Sequence, residues 1–449
     1  MSSNLKRTFE LVNAISPSFC AAKWYNASIW LSNGRTASCH HPLAHYIPTK
    51  ELLKDASALH NTQFKKEQRR KMLAGERPEE CGYCWRVEDL GQEGIFSDRV
   101  YKSMIYNPAD VLKLMDSDPD QNVDPKTLEI CFDNLCNMGC SYCNSEFSST
   151  WSTDIAENGP YSGMMTSGGN TYENDGQHGM PFGPKNEGNF YITKFFEWYK
   201  RSLRENLEEL RVSGGEPSRS PDFWKLVETF NNERFRFAVN SNLMMDKERL
   251  NRLIAIGEQF KEYEIYTSGE SYGKHAHWVR SGIDYKIWRD NLYDVAVRAP
   301  KIGTHIMMTI SAFSIWTVDQ FLDDIVKLRH ETNIALGENR RDRFHMSVNI
   351  LRFPSFQSVN MIDTENKHML AERIEAALSR ADLITDSERN NFQRCIAYLR
   401  NVDRGYEDQD SYENKVNDLK KFVQQYSARR NMPSSEYMPP EFNNWISKL

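Results

Sequence analysis

Three cysteines, Cys136, Cys140 and Cys143, fall within eight residues of the run Cys131-Phe132-Asp133-Asn134-Leu135-Cys136-Asn137-Met138-Gly139-Cys140-Ser141-Tyr142-Cys143. This C-x3-C-x2-C spacing follows directly on the strand-like run Thr127-Phe132, and no other stretch restricts the local fold as strongly. So short a loop brings three thiolates to one compact centre only by curling around it, and Gly139 permits the tight backbone path. A [4Fe-4S] cube has four irons, so three thiolates from such a loop leave one iron open to another ligand. A zinc site is the alternative, although zinc takes four ligands and short knuckles usually supply C-x2-C pairs.

From about residue 127 onward, β-branched or apolar runs alternate with amphipathic ones. Candidate strands are Thr127-Phe132, Leu207-Ser213, Phe235-Asn240, Tyr263-Thr267, His305-Ser311 and Phe344-Leu351. Candidate helices between them include Phe223-Phe230, Lys247-Phe260, Asp284-Val297 and Val318-His330. Strand then helix, repeated about six times, predicts parallel strands in an α/β barrel or partial barrel, with loops converging at the C-terminal strand ends. Asn158-Asn189 holds eight of the 23 glycines and interrupts the rhythm, so it is expected to form a long loop or lid. After Asp363 the pattern is helical in pieces, at Lys367-Ala381, Asp386-Asn401 and Tyr412-Arg430.

The other cysteines concentrate near the N-terminus. Cys20 precedes the alternating run Trp24-Leu31, Asn33-Gly34 marks a hairpin, and Cys39 follows it. A helical stretch then leads to Cys81-Gly82-Tyr83-Cys84. A hairpin with cysteines near both ends, a helix and a C-x2-C knuckle can gather four thiolates, which zinc or an iron–sulfur cluster would satisfy equally. Nine cysteines with no apolar run long enough to span a bilayer fit a cytoplasmic chain whose thiols serve as metal or redox ligands. A net charge of −6 gives no global attraction to nucleic acid. Cys131 reads as a small core residue, and His40, His41, His45, His275 and His277 as surface or hydrogen-bonding side chains. Lys65-Arg70 reads as a solvated helix face.

With Tyr142 just before its last cysteine, the Cys136-Cys143 loop resembles the signature of the radical S-adenosylmethionine (SAM) superfamily. The resemblance implies a [4Fe-4S] cluster on Cys136, Cys140 and Cys143, whose open iron is chelated by SAM. One-electron cleavage would then give methionine and a 5′-deoxyadenosyl radical that abstracts hydrogen from a substrate. Gly214-Gly215-Glu216-Pro217, after the second candidate strand, looks like the family's site for the SAM amino group; an ordinary strand-to-helix turn is the plain reading. Asn240-Ser241-Asn242 is similar to the turn that touches the SAM ribose, and would serve equally as a helix cap. Ser268 and Arg280, in the segments Thr267-Ser271 and Val279-Gly282, correspond to contacts with the SAM carboxylate or ribose.

The N-terminal arrangement, including Trp85, Glu88, Gly91, Ser97 and Arg99, resembles the twitch or SPASM module of radical SAM proteins, a group with phage-encoded members. It stands here before the barrel instead of after it. The likeness implies an auxiliary cluster on Cys20, Cys39, Cys81 and Cys84, [4Fe-4S] in preference to [2Fe-2S]. The expected organisation is a cluster module over 1–120, a partial (β/α)6 TIM-like barrel of the radical SAM type over 121–360, and a helical extension over 361–449. The implied activity is oxidation or modification of a peptide or protein side chain, or of a small polar molecule, driven by a one-electron donor such as flavodoxin or ferredoxin. No membrane or nucleic-acid partner is expected. A non-catalytic iron–sulfur or zinc scaffold that binds SAM is the alternative from another class.

Overall fold

The structure is a computed structural model, and it describes residues 2–91, 94–173, 189–401 and 410–449. Of the glycine-rich stretch, 174–188 lies outside the described residues. The chain is mixed α/β and divides into two compact units. The first comprises the described residues of Met1–Asp133, Met180–Val212 and Arg234–Arg236, and the second those of Asn134–Gly179, Ser213–Glu233 and Phe237–Leu449. Among the described residues, no helix is long and apolar enough to cross a membrane.

In the first unit, β1 (Asn26–Trp30) and β2 (Arg35–Ala37) form an antiparallel hairpin with Ser28 opposite Ala37 and Trp30 opposite Arg35. Gly34 turns the chain at φ +64°, in the left-handed region that a side chain strains to adopt. The hairpin is one edge of a larger arrangement ordered β3 (His45–Tyr46), β2, β1, β4 (Thr127–Cys131) and β6 (Glu209–Ser213), where the short strand β5 is Gly139–Cys140 of the second unit. β1 runs parallel to β4, from Asn26 opposite Thr127 to Trp30 opposite Cys131. This pairing buries Ala27 and Ile29 against Leu128 and Ile130. Cys131 is buried at the end of β4.

The basic run at 65–70 is a solvated face only in part, with Arg70 partly exposed and Lys65 and Arg69 turned inward. Lys65 and Arg69, on the helix Gln63–Leu73, are 1% and 0% exposed. Lys65 Nζ donates to Thr36 Oγ1 at 2.8 Å and Ala37 O at 3.1 Å, and the Arg69 guanidinium to Lys23 O and Asn61 Oδ1, each at 3.0 Å. Their stems pack inward while their heads satisfy oxygens that the hairpin and its flanks leave without strand partners.

In the second unit, β7 (Arg236–Asn240), β8 (Tyr263–Ser268), β10 (Gly303–Ile310) and β11 (His345–Ile350) are consecutive parallel neighbours, and β9 is the short strand Arg280–Ser281. Helices Lys247–Ala255, Tyr285–Arg298 and Val318–Leu336 lie between or after these strands. Asp246 and Asp284 cap the first two by accepting from Arg249 N and Ile287 N, and Gly337 ends the third at φ +66°. The tail helices are Thr364–Arg380, Asp386–Arg400 and Tyr412–Arg429. Arg329 pairs with Glu388, both fully buried, and Glu388 also accepts from Met346 N, tying the second tail helix to β11. His275 and His277 lie on a helix, Gly273–Val279. His275 is buried, with Nε2 against Phe313 O at 2.7 Å and Nδ1 against Thr317 Oγ1 at 2.8 Å.

Candidate active site

The Cys136–Cys143 loop is held by its carbonyl groups. Ser149 and Thr150 donate to Cys136 O, at 3.2 and 2.8 Å, and Ser148 to Met138 O at 2.7 Å. Tyr426 donates to Gly139 O at 2.7 Å and Trp151 Nε1 to Cys140 O at 3.0 Å, while Tyr172 and Gln357 donate to Ser141 O at 3.2 and 2.9 Å. The loop also gains a backbone neighbour, because β5 pairs antiparallel with β9, setting Cys140 opposite Arg280. A Cβ on Gly282, whose φ is +101°, would sit 2.6 Å from Asn137 O, so this approach requires glycine. Burial pushes the Cys136 thiol up to about 12 and raises those of Cys140 and Cys143 as well. Three such thiols become thiolates only with a cationic centre among them.

Gly214-Gly215-Glu216-Pro217 docks directly on this loop. Glu216 N donates to Leu135 O at 2.7 Å, and a Cβ on Gly215 would collide with that carbonyl and lie 2.7 Å from Asn134 O. Gly214 bends at φ +124° and Pro217 opens the turn Pro217–Arg219. The Glu216 carboxylate, 1% exposed, accepts from Asn242 N at 2.6 Å, Ser241 Oγ at 3.0 Å and Ser218 N at 3.1 Å. Burial raises its pKa and these donors pull it back. Asn242 in turn donates to Asn137 Oδ1 at 2.9 Å, between Cys136 and Cys140. Asn240 Oδ1 is buried without a hydrogen-bond partner.

Ser268 ends β8, half-buried. Two residues on, Glu270 is fully buried and accepts from Tyr142 Oη at 3.2 Å, while Arg280 donates to the same Tyr142 Oη and lies 3.8 Å from Glu270. Burial lowers the Arg280 pKa, but facing Cys140, Tyr142 and Glu270 outweigh it and hold the guanidinium charged. Sequence reasoning passed over Glu270. The available signal was a carboxylate immediately after an apolar strand, where its charge requires a partner.

In the first unit, Cys20, Cys39, Cys81 and Cys84 line one small cavity together with Lys23, Trp85, Asp98 and Arg99. The four come from separate places: before the helix Ala22–Tyr25, after β2, in the turn Glu79–Cys81 and in the helix Gly82–Asp89. Glu88 fastens the wall, accepting from Ser97 Oγ at 2.5 Å and Arg99 Nε at 2.8 Å, and Arg99 also donates to Phe19 O at 2.8 Å. Lys23 is buried and ion-paired with Glu80. Burial pushes the Cys81 and Cys84 thiols up to about 12. His40 and His41 both lean on Asp98, at 3.4 and 2.8 Å. His41 also stacks on Tyr83, ring centroids 3.8 Å apart.

No protein-family model matches the chain, and no curated protein matches it. Among solved structures, the chain is similar to Streptococcus suis SuiB bound to S-adenosylmethionine, at 14% identity and a TM-score of 0.35, covering 79% of this chain and 69% of that one. It is also similar to TYW1 with a lysine–pyruvate adduct bound, at 15% identity and a TM-score of 0.28, covering 54% of this chain and 72% of that one. Likeness of this degree assigns no function.

Proposed function

We propose that this chain is a radical SAM enzyme, with a [4Fe-4S] cluster on Cys136, Cys140 and Cys143 and SAM in the loops around it. The observation that carries the reading is the docking of Gly215 and Glu216 on the Leu135 carbonyl. It joins a three-thiol loop to a buried carboxylate about 80 residues away in sequence, as a site for a cationic amino acid on an open iron requires. The donor set fits the groups. Among the described residues, the one set of three or more His, Cys, Asp or Glu side chains with all ligand atoms within 4.8 Å is His40, His41 and Asp98. Three thiols with one coordination position left over suit a [4Fe-4S] cluster that also binds SAM, and four thiols lining one cavity suit a second centre.

When bound, the cluster and SAM supply one-electron cleavage of a C–S bond and a carbon radical that takes hydrogen from substrate. The chain's residues bind and orient. The Glu216 carboxylate, fixed by Ser218, Ser241 and Asn242, suits the SAM ammonium as its charged partner. Asn240 Oδ1, buried and unpartnered, suits a ribose hydroxyl. Ser268 and Arg280 border the same loops, Arg280 supplying positive charge to the carboxylate or the thiolates. The strand-and-helix repeat supports a partial (β/α)6 barrel of the radical SAM type. The N-terminal cavity supports a twitch- or SPASM-like auxiliary cluster on Cys20, Cys39, Cys81 and Cys84. Four thiolates leave it no open iron, which suits it to carry an electron from an oxidised peptide, protein or small-molecule product.

The test is anaerobic reconstitution with dithionite and SAM. Wild type is expected to release 5′-deoxyadenosine, and a triple Cys136→Ala, Cys140→Ala, Cys143→Ala variant to stay soluble and release none. Release by the triple variant overturns the reading. Iron should total about eight per chain with two cubes and about four in Cys81→Ala, Cys84→Ala. About four irons and one zinc in wild type would make the N-terminal cavity a zinc site.

A further inference from the structure

The segment that ends the helix Tyr412–Arg429 reaches the cysteine loop. Arg430 follows that helix, and its guanidinium lies over the rings of both Trp151 and Tyr426, 4.4 and 4.0 Å from their centroids. Those same two rings bond the carbonyls of Cys140 and Gly139. Nη1 donates to Asp154 Oδ2 at 3.2 Å and to Tyr161 Oη at 2.8 Å. Nη2 is buried and has no hydrogen-bond partner. It stands against the open side of Gly139, where a Cβ would approach it to 3.1 Å. A buried guanidinium N–H without an acceptor is costly, and the two rings and Asp154 fix it in place.

We infer that Arg430 is the positioning cation of the Cys136-Cys140-Cys143 cluster: Nη2 faces the cluster across Gly139, donates toward its sulfur, and raises its reduction potential. This inference rests on the proposed function. A thiolate-bound [4Fe-4S] centre is anionic and gains negative charge on reduction, so an N–H donor and a fixed positive charge beside it favour the reduced form. Arg280 and Arg430 thus approach the loop through different segments. Gly139 admits the second approach because it has no side chain.

The experiment is an EPR-monitored redox titration of the full, anaerobically reconstituted chain, following the cluster signal that SAM perturbs. Arg430→Met keeps an apolar stem against the two rings and removes the charge. The expected result is a potential lower by about 59 mV or more, a tenfold change in a one-electron equilibrium, with iron content at the wild-type level. Arg430→Lys should recover part of the loss. Asp154→Asn removes the opposing carboxylate and should shift the potential upward, which keeps the inference testable if Arg430→Met does not fold. Equal potentials in wild type, Arg430→Met and Asp154→Asn overturn the inference and leave the radical SAM reading standing. Absence of any SAM-perturbed cluster signal in wild type overturns that reading itself.

Discussion

Glu216 holds two turns together before it can meet any ligand, and this makes its replacement informative in two ways. Its carboxylate is 1% exposed and accepts from two backbone N–H groups, Ser218 and Asn242, and from the Ser241 hydroxyl. In Glu216→Ala the hydroxyl can turn away but the two N–H groups stay buried without acceptors, at about 1–3 kcal/mol each, so a loss of about 2–6 kcal/mol is expected. In Glu216→Gln the amide oxygen keeps one side of the arrangement while its NH2 opposes donors on the other. Relief of the buried charge, visible in the raised carboxyl pKa, offsets part of this, so about 1–2 kcal/mol is expected. The assay is denaturant unfolding of cluster-free protein without SAM, with amide exchange at Asn242 as the local readout. Reconstituted Glu216→Gln isolates the charge: losing an ammonium's partner in a buried site, about 2–4 kcal/mol, weakens SAM binding about 30- to 1,000-fold. Wild-type stability and Asn242 protection in both variants would refute the tie, and unchanged SAM affinity in Glu216→Gln would refute the ammonium site.

Two further outcomes follow from the packing and the charge states. Gly215→Ala places a Cβ against the Leu135 and Asn134 backbone carbonyls, so the two loops must separate; a loss of about 1–3 kcal/mol or more and faster release of iron to a chelator are expected. His275 is buried, and burial lowers its pKa from the ordinary 6.5 to about 4. Between those values the unfolded chain binds a proton that the folded chain does not. Stability from the neutral ring is therefore complete above pH 6.5 and is lost as pH falls toward 4, amounting to about 3 kcal/mol. A His275→Gln variant should show a correspondingly shallower decline in denaturant stability over that range, and an unchanged slope would count against the assignment.

The parts legible in the sequence are those where local chemistry and local geometry coincide. The three-cysteine spacing, the Gly-Gly-Glu-Pro turn and the repeated strand and helix runs are short-range patterns. The strands at 127–131, 209–213, 236–240, 263–268, 303–310 and 345–350 sit where period and β-branching place them. The Asn33-Gly34 turn likewise implies the hairpin that forms.

Other features are set by partners distant in the chain. The basic pattern of Lys65 and Arg69 suits a wet helix, yet oxygens of Thr36, Ala37, Lys23 and Asn61 surround their heads and make burial favourable. Glu270 gains its role through Tyr142 and Arg280, which no spacing rule connects to it. The tail looked like generic helix, but Tyr426 and Arg430 meet the cysteine loop at Gly139. By itself the sequence determined which side chains could ligate and which turns could form, because both depend on neighbours a few residues apart. Only the tertiary structure decided which distant carbonyls, rings and charges surround those side chains, because burial turns each unmet hydrogen bond or charge into a cost that a particular partner must relieve.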